Sequence, residues 1–298
     1  MQQKRPKRLV NGVLLLDKPA GFSSNQALQC AKRLYTAAKA GHTGSLDPMA
    51  TGLLPVCFGE ATKFSHYLLE ADKTYYARVK LGVTTTTGDK EGEVLQRVPV
   101  AVSRRDVESV LPGFLGKISQ VPPMYSALKH QGKALYEYAR AGVVIERAAR
   151  EVTIHSIALN GMEDDELDII VACSKGTYIR TLAEDIGVAL GCGAHLVGLR
   201  RVKTGAFDLT SAYTMEQLEQ MTLQQRDACL LAADCLIAEL PAVEFDDESA
   251  YYLRRGQPVW KSGVVGDGML RLYGPQQVFL GVGERLDDGQ IAPRRLMV

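Results

Sequence analysis

Apolar residues first gather at positions 12–16, where Gly-Val-Leu-Leu-Leu forms the short unbroken run expected of a strand buried on both faces. Ser23 or Ser24 then stands ahead of Ala27, Leu28, Ala31, Leu34 and Tyr35, a helical spacing that predicts a helix with a hydroxyl N-cap. Positions 41–55 break both periods. Three glycines, two prolines and several hydroxyl residues predict a tightly specified loop, with neither helix nor central strand. A strand over 75–83 comes next, then a Thr/Gly-rich turn over 84–92 and a short helix in which Ser103 precedes Val107, Val110 and Leu111. Segments 152–159 and 167–173 read as a hairpin around a polar connection. Beyond Ser174-Lys175-Gly176-Thr177, residues Ile179, Leu182, Ala183, Ile186 and Leu190 share one helical face that ends at Gly191.

Strands and helices mix without the regular alternation of parallel βαβ units, which predicts an α+β fold around a mixed, largely antiparallel sheet with flanking helices. An acidic helical stretch over 214–240 leads to Pro241, where the texture changes. Strand-like pieces at 258–265, 269–273 and 278–284, separated by Gly, Asp and Pro, predict a small β-rich domain over 241–298 beside a large domain over 1–240.

With 298 residues, 46% of them hydrophobic, the chain has ample material for such a core. Its longest apolar runs, 12–16 and 229–240, are well short of the ~20 residues that cross a bilayer. The basic start Lys4-Arg5-Pro6-Lys7-Arg8 leads into a brief strand and a charged Asp17-Lys18, which is no signal pattern, so a cytoplasmic protein without a membrane partner is expected. The six cysteines form no C-x-x-C pair and no Cys/His spacing for zinc, so reduced thiols and no metal are expected.

Net charge is +1, unlike the visible basicity of most nucleic-acid binders, but the average conceals a segregation. From Asp208 to Glu248 there are ten acidic residues and only Arg226 on the basic side, leaving 34 Lys+Arg against 24 Asp+Glu elsewhere. Basic clusters at 4–8, at Lys129, His130 and Lys133, at Arg147 and Arg150, at Arg200-Arg201-Lys203 and at Arg294-Arg295 suit a polyanionic partner, although any one of them alone reads as a solvated face.

The chemistry concentrates in Gly41-His42-Thr43-Gly44-Ser45-Leu46-Asp47-Pro48, followed by Met49-Ala50-Thr51-Gly52-Leu53-Leu54-Pro55. One carboxylate, Asp47, is locked between Leu46 and Pro48. A lone Leu-Asp-Pro is more often a turn whose Asp caps its own backbone, but the whole run resembles the catalytic loop of the TruB family, the bacterial tRNA pseudouridine-55 synthases. The resemblance covers almost the entire chain. Asn11-Gly12-Val13-Leu14-Leu15-Leu16-Asp17-Lys18-Pro19 looks like the family's opening motif and Asp72-Lys73-Thr74-Tyr75 like its tyrosine motif. Pro123-Met124-Tyr125-Ser126-Ala127-Leu128-Lys129 and the run from Gly132 to Arg140 are similar to its tRNA-gripping insertion, about 121–151. Segments 174–181 and 191–196 complete the set, and the region beyond Pro241 resembles its PUA-like RNA-binding domain.

What the resemblance implies is the isomerisation of a uridine already in tRNA, at position 55 of the T-loop, with no cofactor and no obligate protein partner for a monomeric enzyme. Asp47 matches the essential carboxylate, which either attacks or shields C1′ or adds to the uracil ring. Arg180 matches the guanidinium that would hold Asp47 two-pronged and lower its pKa; on its own it reads as a surface arginine in a first helical turn. Tyr75 would stack on the uracil and lend its hydroxyl to proton transfer, whereas Tyr76 reads as a core tyrosine. Tyr178 and Leu199 match positions lining the uracil pocket; each alone would be a packing residue. His42 would fill the gap left by the flipped base, with metal ligation as the runner-up. Lys18 would contact the Asp47 loop or a phosphate, or be a solvated lysine in a turn. Three readings compete: a non-catalytic RNA-binding or tRNA-folding protein, a guide-RNA-dependent pseudouridine synthase subunit, and a nucleoside hydrolase.

Overall fold

The computed structural model of the chain describes residues 6–264 and 268–297. The basic start at Lys4 and Arg5, and the end of the 258–265 strand reading at Val265, lie outside the described residues. Among those described, ten strands form one mixed sheet. Its order is Tyr213–Thr214, Gly12–Lys18, Thr51–Phe58, Ala194–Thr204, Lys73–Leu81, Glu166–Cys173, Arg150–Glu163 and Gly116–Gln120, with Ala40–His42 and Phe207–Asp208 attached at the side. Two contacts are parallel, Gly12–Lys18 with Tyr213–Thr214 and Thr51–Phe58 with Ala194–Thr204; the other pairings are antiparallel, as the mixed periodicity predicts.

The helices lie where their caps put them. Ser23 caps Ser24–Leu34 in a reciprocal pair with Gln26, and Ser103 caps Arg104–Val110 with Asp106. Ile179–Ala189 follows without a side-chain cap, and it buries Ile179, Leu182, Ala183 and Ile186 against the sheet core. The hairpin is longer than its apolar pattern: Arg150–Glu163 pairs with Glu166–Cys173, because the polar stretch 160–163 keeps extending the strand until the Asp164-Asp165 turn.

Part of the Gly/Pro run is strand, contrary to the expectation of loop throughout 41–55. Thr51–Phe58 is central, and Pro55 stands opposite Leu15. Its other side is served by Ala194–Thr204 only at Thr51 and Gly52 and by Ala40–His42 only at 56–58. On that side Pro55 meets only the end of a short ladder, where its carbonyl accepts from Thr43 N at 3.1 Å and its missing N–H costs one terminal bond.

Beyond Pro241 a separate five-stranded sheet runs in the order Ala242–Glu244, Gly268–Gly274, Val278–Arg285, Gln290–Leu296, Val259–Trp260, with the helix Asp247–Arg254 against it. It does not stand clear of the large sheet: Val282 joins the cluster that contains Leu53 and Phe64, and the Phe64 and Phe279 rings are 5.5 Å apart. No helix of the described chain is long and apolar enough to cross a membrane.

Candidate active site

The segment from Thr43 to Ala50 is fastened from several sides. The Leu46 N–H donates to Ser24 Oγ at 2.7 Å, and that hydroxyl lies 3.1 Å from Leu46 O, so the start of the Ser24–Leu34 helix grips the loop. Gly21 N donates to Pro48 O at 2.8 Å and Thr43 N to Pro55 O at 3.1 Å. Ala50 N donates to Asp47 O at 3.0 Å and closes a turn with Pro48 in its second position, the one that a fixed φ suits. Gly52 is required by a close approach: at φ +103° its Cβ would fall 2.2 Å from Arg201 O. Asp47 thus projects from a backbone with little freedom.

Arg180, in the first turn of Ile179–Ala189, reaches this carboxylate. Its Nε lies 3.0 Å from Asp47 Oδ2 and its Nη2 3.4 Å from Oδ1, the two-pronged geometry the sequence implied. The guanidinium is 5% exposed and also donates to Tyr125 O at 2.7 Å and Thr87 O at 3.2 Å. Asp89, 3% exposed, faces its far side at 3.5 Å. The Asp47 carboxyl is half-open, at 37% exposure, yet protein surrounds it closely enough that burial raises its pKa from the ordinary 3.8. Arg180 opposes that rise, Asp89 adds to it and Lys18 opposes it. A net lowering by the guanidinium, expected from the pairing alone, is therefore overturned: desolvation outweighs it.

Tyr75 lies half-buried on Lys73–Leu81 and packs with Leu199 and Met49 into the same apolar cluster. Burial raises its phenol pKa while Arg201 pulls it down, and Asp47 is close enough to be felt. Tyr76, expected in the core, is 46% exposed: alternation along the strand sends Tyr75 and Tyr76 to opposite faces, and the core takes Tyr75. Tyr178 occupies the N-cap position of the Arg180 helix, half-buried, with its N–H donating to Gln120 Oε1 at 3.0 Å and its carbonyl accepting from Gln120 Nε2 at 3.2 Å. His42 ends the Ala40–His42 strand beside the loop. Burial, then Arg201, lowers its pKa from 6.5, so it is neutral at pH 7, and its enclosed Nδ1 has no hydrogen-bond partner among the described residues.

Lys18 is neither solvated nor able to reach a phosphate, because it is fully buried. Its Nζ donates to Pro19 O at 2.9 Å and Phe22 O at 2.5 Å, closing the turn whose Gly21 holds Pro48. Burial lowers its pKa to about 8, with Asp47 acting against that. The Arg200-Arg201 pair is not a basic face either. Arg200 donates two hydrogen bonds to the Asp17 carboxylate, at 2.6 and 3.1 Å, and Arg201 is 1% exposed beneath the loop. Arg8 is likewise occupied by Asp227 and Arg294 by Glu284. Lys129, Lys133 and Arg150 do remain exposed.

Three residues escaped the sequence reading. Asp89 sits in a Thr/Gly turn where an Asp normally serves the backbone, Arg201 stands in a basic run that reads as surface charge, and Gln120 ends an edge strand. Nothing in their local patterns marks them. Together the loop and its supports hold one carboxylate ready to meet an electrophile or shield a cation, with a tyrosine and a neutral histidine beside it. Among the described residues, no three His, Cys, Asp or Glu side chains gather as a metal site.

Residues 32–179 match the N-terminal domain of TruB family pseudouridylate synthases, 180–238 the tRNA pseudouridylate synthase B C-terminal domain, and 241–297 the pseudouridine synthase II TruB C-terminal region. The chain is 62% identical over 297 residues to tRNA pseudouridine synthase B of Methylobacillus flagellatus, covering 100% of this chain and 98% of that protein. Against the protein of the same name from Ectopseudomonas mendocina it is 54% identical over 300 residues, covering 99% and 98%. Among solved structures, a chain of an H/ACA RNP bound to a substrate RNA containing 2′-deoxyuridine superposes with a TM-score of 0.73 at 22% identity, over 97% of this chain and 86% of that one. A chain of a Cbf5-Nop10-Gar1 complex does so with a TM-score of 0.73 at 24% identity, over 97% and 85%. Those two likenesses concern the fold. Contiguous family matches and relatives this similar over the full length place the chain in the TruB family of pseudouridylate synthases.

Proposed function

We propose that this chain converts uridine 55 in the T-loop of tRNA to pseudouridine, acting alone, in the cytoplasm and without a cofactor. The N1–C1′ bond breaks, the uracil turns, and C5 joins C1′ as its proton leaves and N1 gains one. Asp47 acts at C1′ or on the ring, and the uracil leaves as an anion, so one acid suffices where glycosidases use two. Arg180 holds Asp47 in place and opposes its protonation. Tyr75 stacks on the flipped base, Leu199 and Tyr178 line its pocket, and His42 fills the vacancy in the T-loop stack. The exposed Lys129, Lys133 and Arg150 in and beside segment 121–151 grip the RNA backbone, and residues 241–298 extend that grip.

The observation that carries this reading is the two-pronged Asp47–Arg180 pair on a pinned loop, in a chain of this family. Incubating the purified protein with an unmodified T-arm hairpin and mapping pseudouridine tests it. The expected result is modification of a single uridine in the wild type and none with Asp47→Asn, whose RNA affinity should stay within about 3-fold because phosphate contacts dominate it. Binding without modification would favour an RNA-folding protein. A need for added guide RNA would favour a complex subunit, and release of free uracil a hydrolase.

A further inference from the structure

Arg201 is the largest of the fully buried side chains, and it sits under the catalytic loop rather than in the apolar core. Its strand register puts it between Gly52 on one side and Tyr75 on the other. From there Nε donates to Leu53 O at 2.7 Å and Nη2 to Gly44 O at 3.1 Å, so one guanidinium spans the entry and exit of the loop that carries Asp47. Arg78, Arg180 and Arg200 each face at least one carboxylate, whereas Arg201 pairs with none among the described residues. The Leu53 and Gly44 carbonyls offset part of the cost of burying this cation, and no carboxylate among the described residues offsets the rest. A bare structural role therefore explains it poorly.

We propose that Arg201 is a positioning residue that acts through Tyr75: anchored by the Gly44 and Leu53 carbonyls, it presents an unpaired positive charge to the tyrosine hydroxyl and fixes that hydroxyl for turnover. The inference rests on the reaction proposed above. In that reaction, cleavage of N1–C1′ leaves an electron pair on uracil, and a cation already in place behind the stacked tyrosine stabilises it without reorganisation. The charge of Arg201 also bears on its other neighbours, lowering the pKa values of His42 and Lys18 and opposing the rise at Tyr75.

A double-mutant cycle on the full-length protein provides the test. Single-turnover rates on the T-arm hairpin, hairpin Kd and Tm are measured for Arg201→Met and Arg201→Lys, each alone and combined with Tyr75→Phe. Arg201→Met should lower the rate by about 100-fold with Kd changed less than about 3-fold, and should cost less than about 10-fold once the Tyr75 hydroxyl is gone. Arg201→Lys, which keeps the charge but not the span between two carbonyls, should fall between. Equal fold losses in both backgrounds, a Kd that weakens in step with the rate, or a wild-type rate in Arg201→Met would each overturn the proposal. Should Arg201→Met fail to fold, Arg201→Lys is read by the same criterion. A wild type inactive on the hairpin would instead count against the proposed function.

Discussion

Asp89 reaches the guanidinium that holds Asp47: its Oδ2 lies 3.5 Å from Arg180 Nη1, while Asp47 Oδ2 lies 3.0 Å from Nε of the same side chain. One buried cation thus stands between two carboxylates, and only Asp47 is open to solvent. Asp89 is itself fixed, with its Oδ1 accepting from Thr87 Oγ1 at 2.6 Å and Glu91 N at 3.0 Å. Its neighbour Thr87 supplies a carbonyl to Arg180 as well. The turn at 84–92 thus backs the Asp47–Arg180 pair.

For Asp89→Asn two effects separate. In the proposed reaction Asp47 works as a carboxylate, so the rate should fall as pH drops through its pKa, and the negative charge of Asp89 helps to hold that pKa up. Removing the charge should move the acid limb of the rate profile to lower pH. The weakened hold on Arg180 should at the same time reduce the plateau rate by about 10-fold. A pH–rate profile under single-turnover conditions reads both; an acid limb displaced upward would mean that Arg180 had swung away from Asp47.

Arg180→Lys should lose at least ~100-fold in rate, since an ammonium cannot meet Asp47, Asp89, Thr87 O and Tyr125 O from one planar group. Tyr125 belongs to the segment read as the RNA grip, so the same change should loosen that segment. Faster amide hydrogen exchange around 121–128, together with the lost turnover, is the expected pair of readings. A near-normal rate would remove Arg180 from the mechanism.

The Asp47–Arg180 pairing was legible in the sequence because each residue sits in a motif of distinctive composition, and a carboxylate and a guanidinium have one obvious way to meet. What could not be read was the state of the charges around them. Lys18 and Arg201 are long enough to turn inward beneath neighbouring backbone, and carbonyl partners such as Phe22 O and Leu53 O leave no trace in the order of residues. Tyr75 and Tyr76 differ only in which face of one strand meets the core, a choice set by pairing with Ala194–Thr204 and not by local pattern. The strand through Pro55 was hidden for a related reason: its missing donor matters only where a partner strand is present.

His42 is neutral in the free protein, so a role as filler of the flipped-base gap should depend on ring shape and not on charge. His42→Phe should retain at least ~10-fold more activity than His42→Ala, and neither zinc nor a chelator should change the wild-type rate. Its Nδ1, without a partner among the described residues, allows a further reading by NMR, in which its resonance shifts when the hairpin binds. Loss of activity on chelation would restore the metal reading of this histidine.

Residues 241–298 are expected to matter for stability before they matter for RNA. All the candidate catalytic residues precede Pro241, and this segment carries seven Lys/Arg against eight Asp/Glu, so it is a weak electrostatic anchor. Its packing is another matter. Phe279 covers Phe64 and Val282 lies in the cluster of Leu53, on the strand that leaves the catalytic loop. Tyr273 Oη donates to Asp234 at 2.6 Å, Arg271 Nε to Leu240 O at 2.8 Å and Lys63 Nζ to Leu296 O at 2.8 Å. Ending the chain after Leu240 would uncover Phe64 and the side chains around it, at about 2 kcal/mol for each large apolar group exposed. The shortened protein should therefore unfold at a Tm lower by roughly 5 °C or more. Below that temperature it should modify the isolated hairpin at close to the intact rate, while binding whole tRNA more weakly at matched salt. An unchanged Tm would mean that the two sheets do not support each other, and a folded but inactive shortened protein would put residues 241–298 inside the catalytic unit.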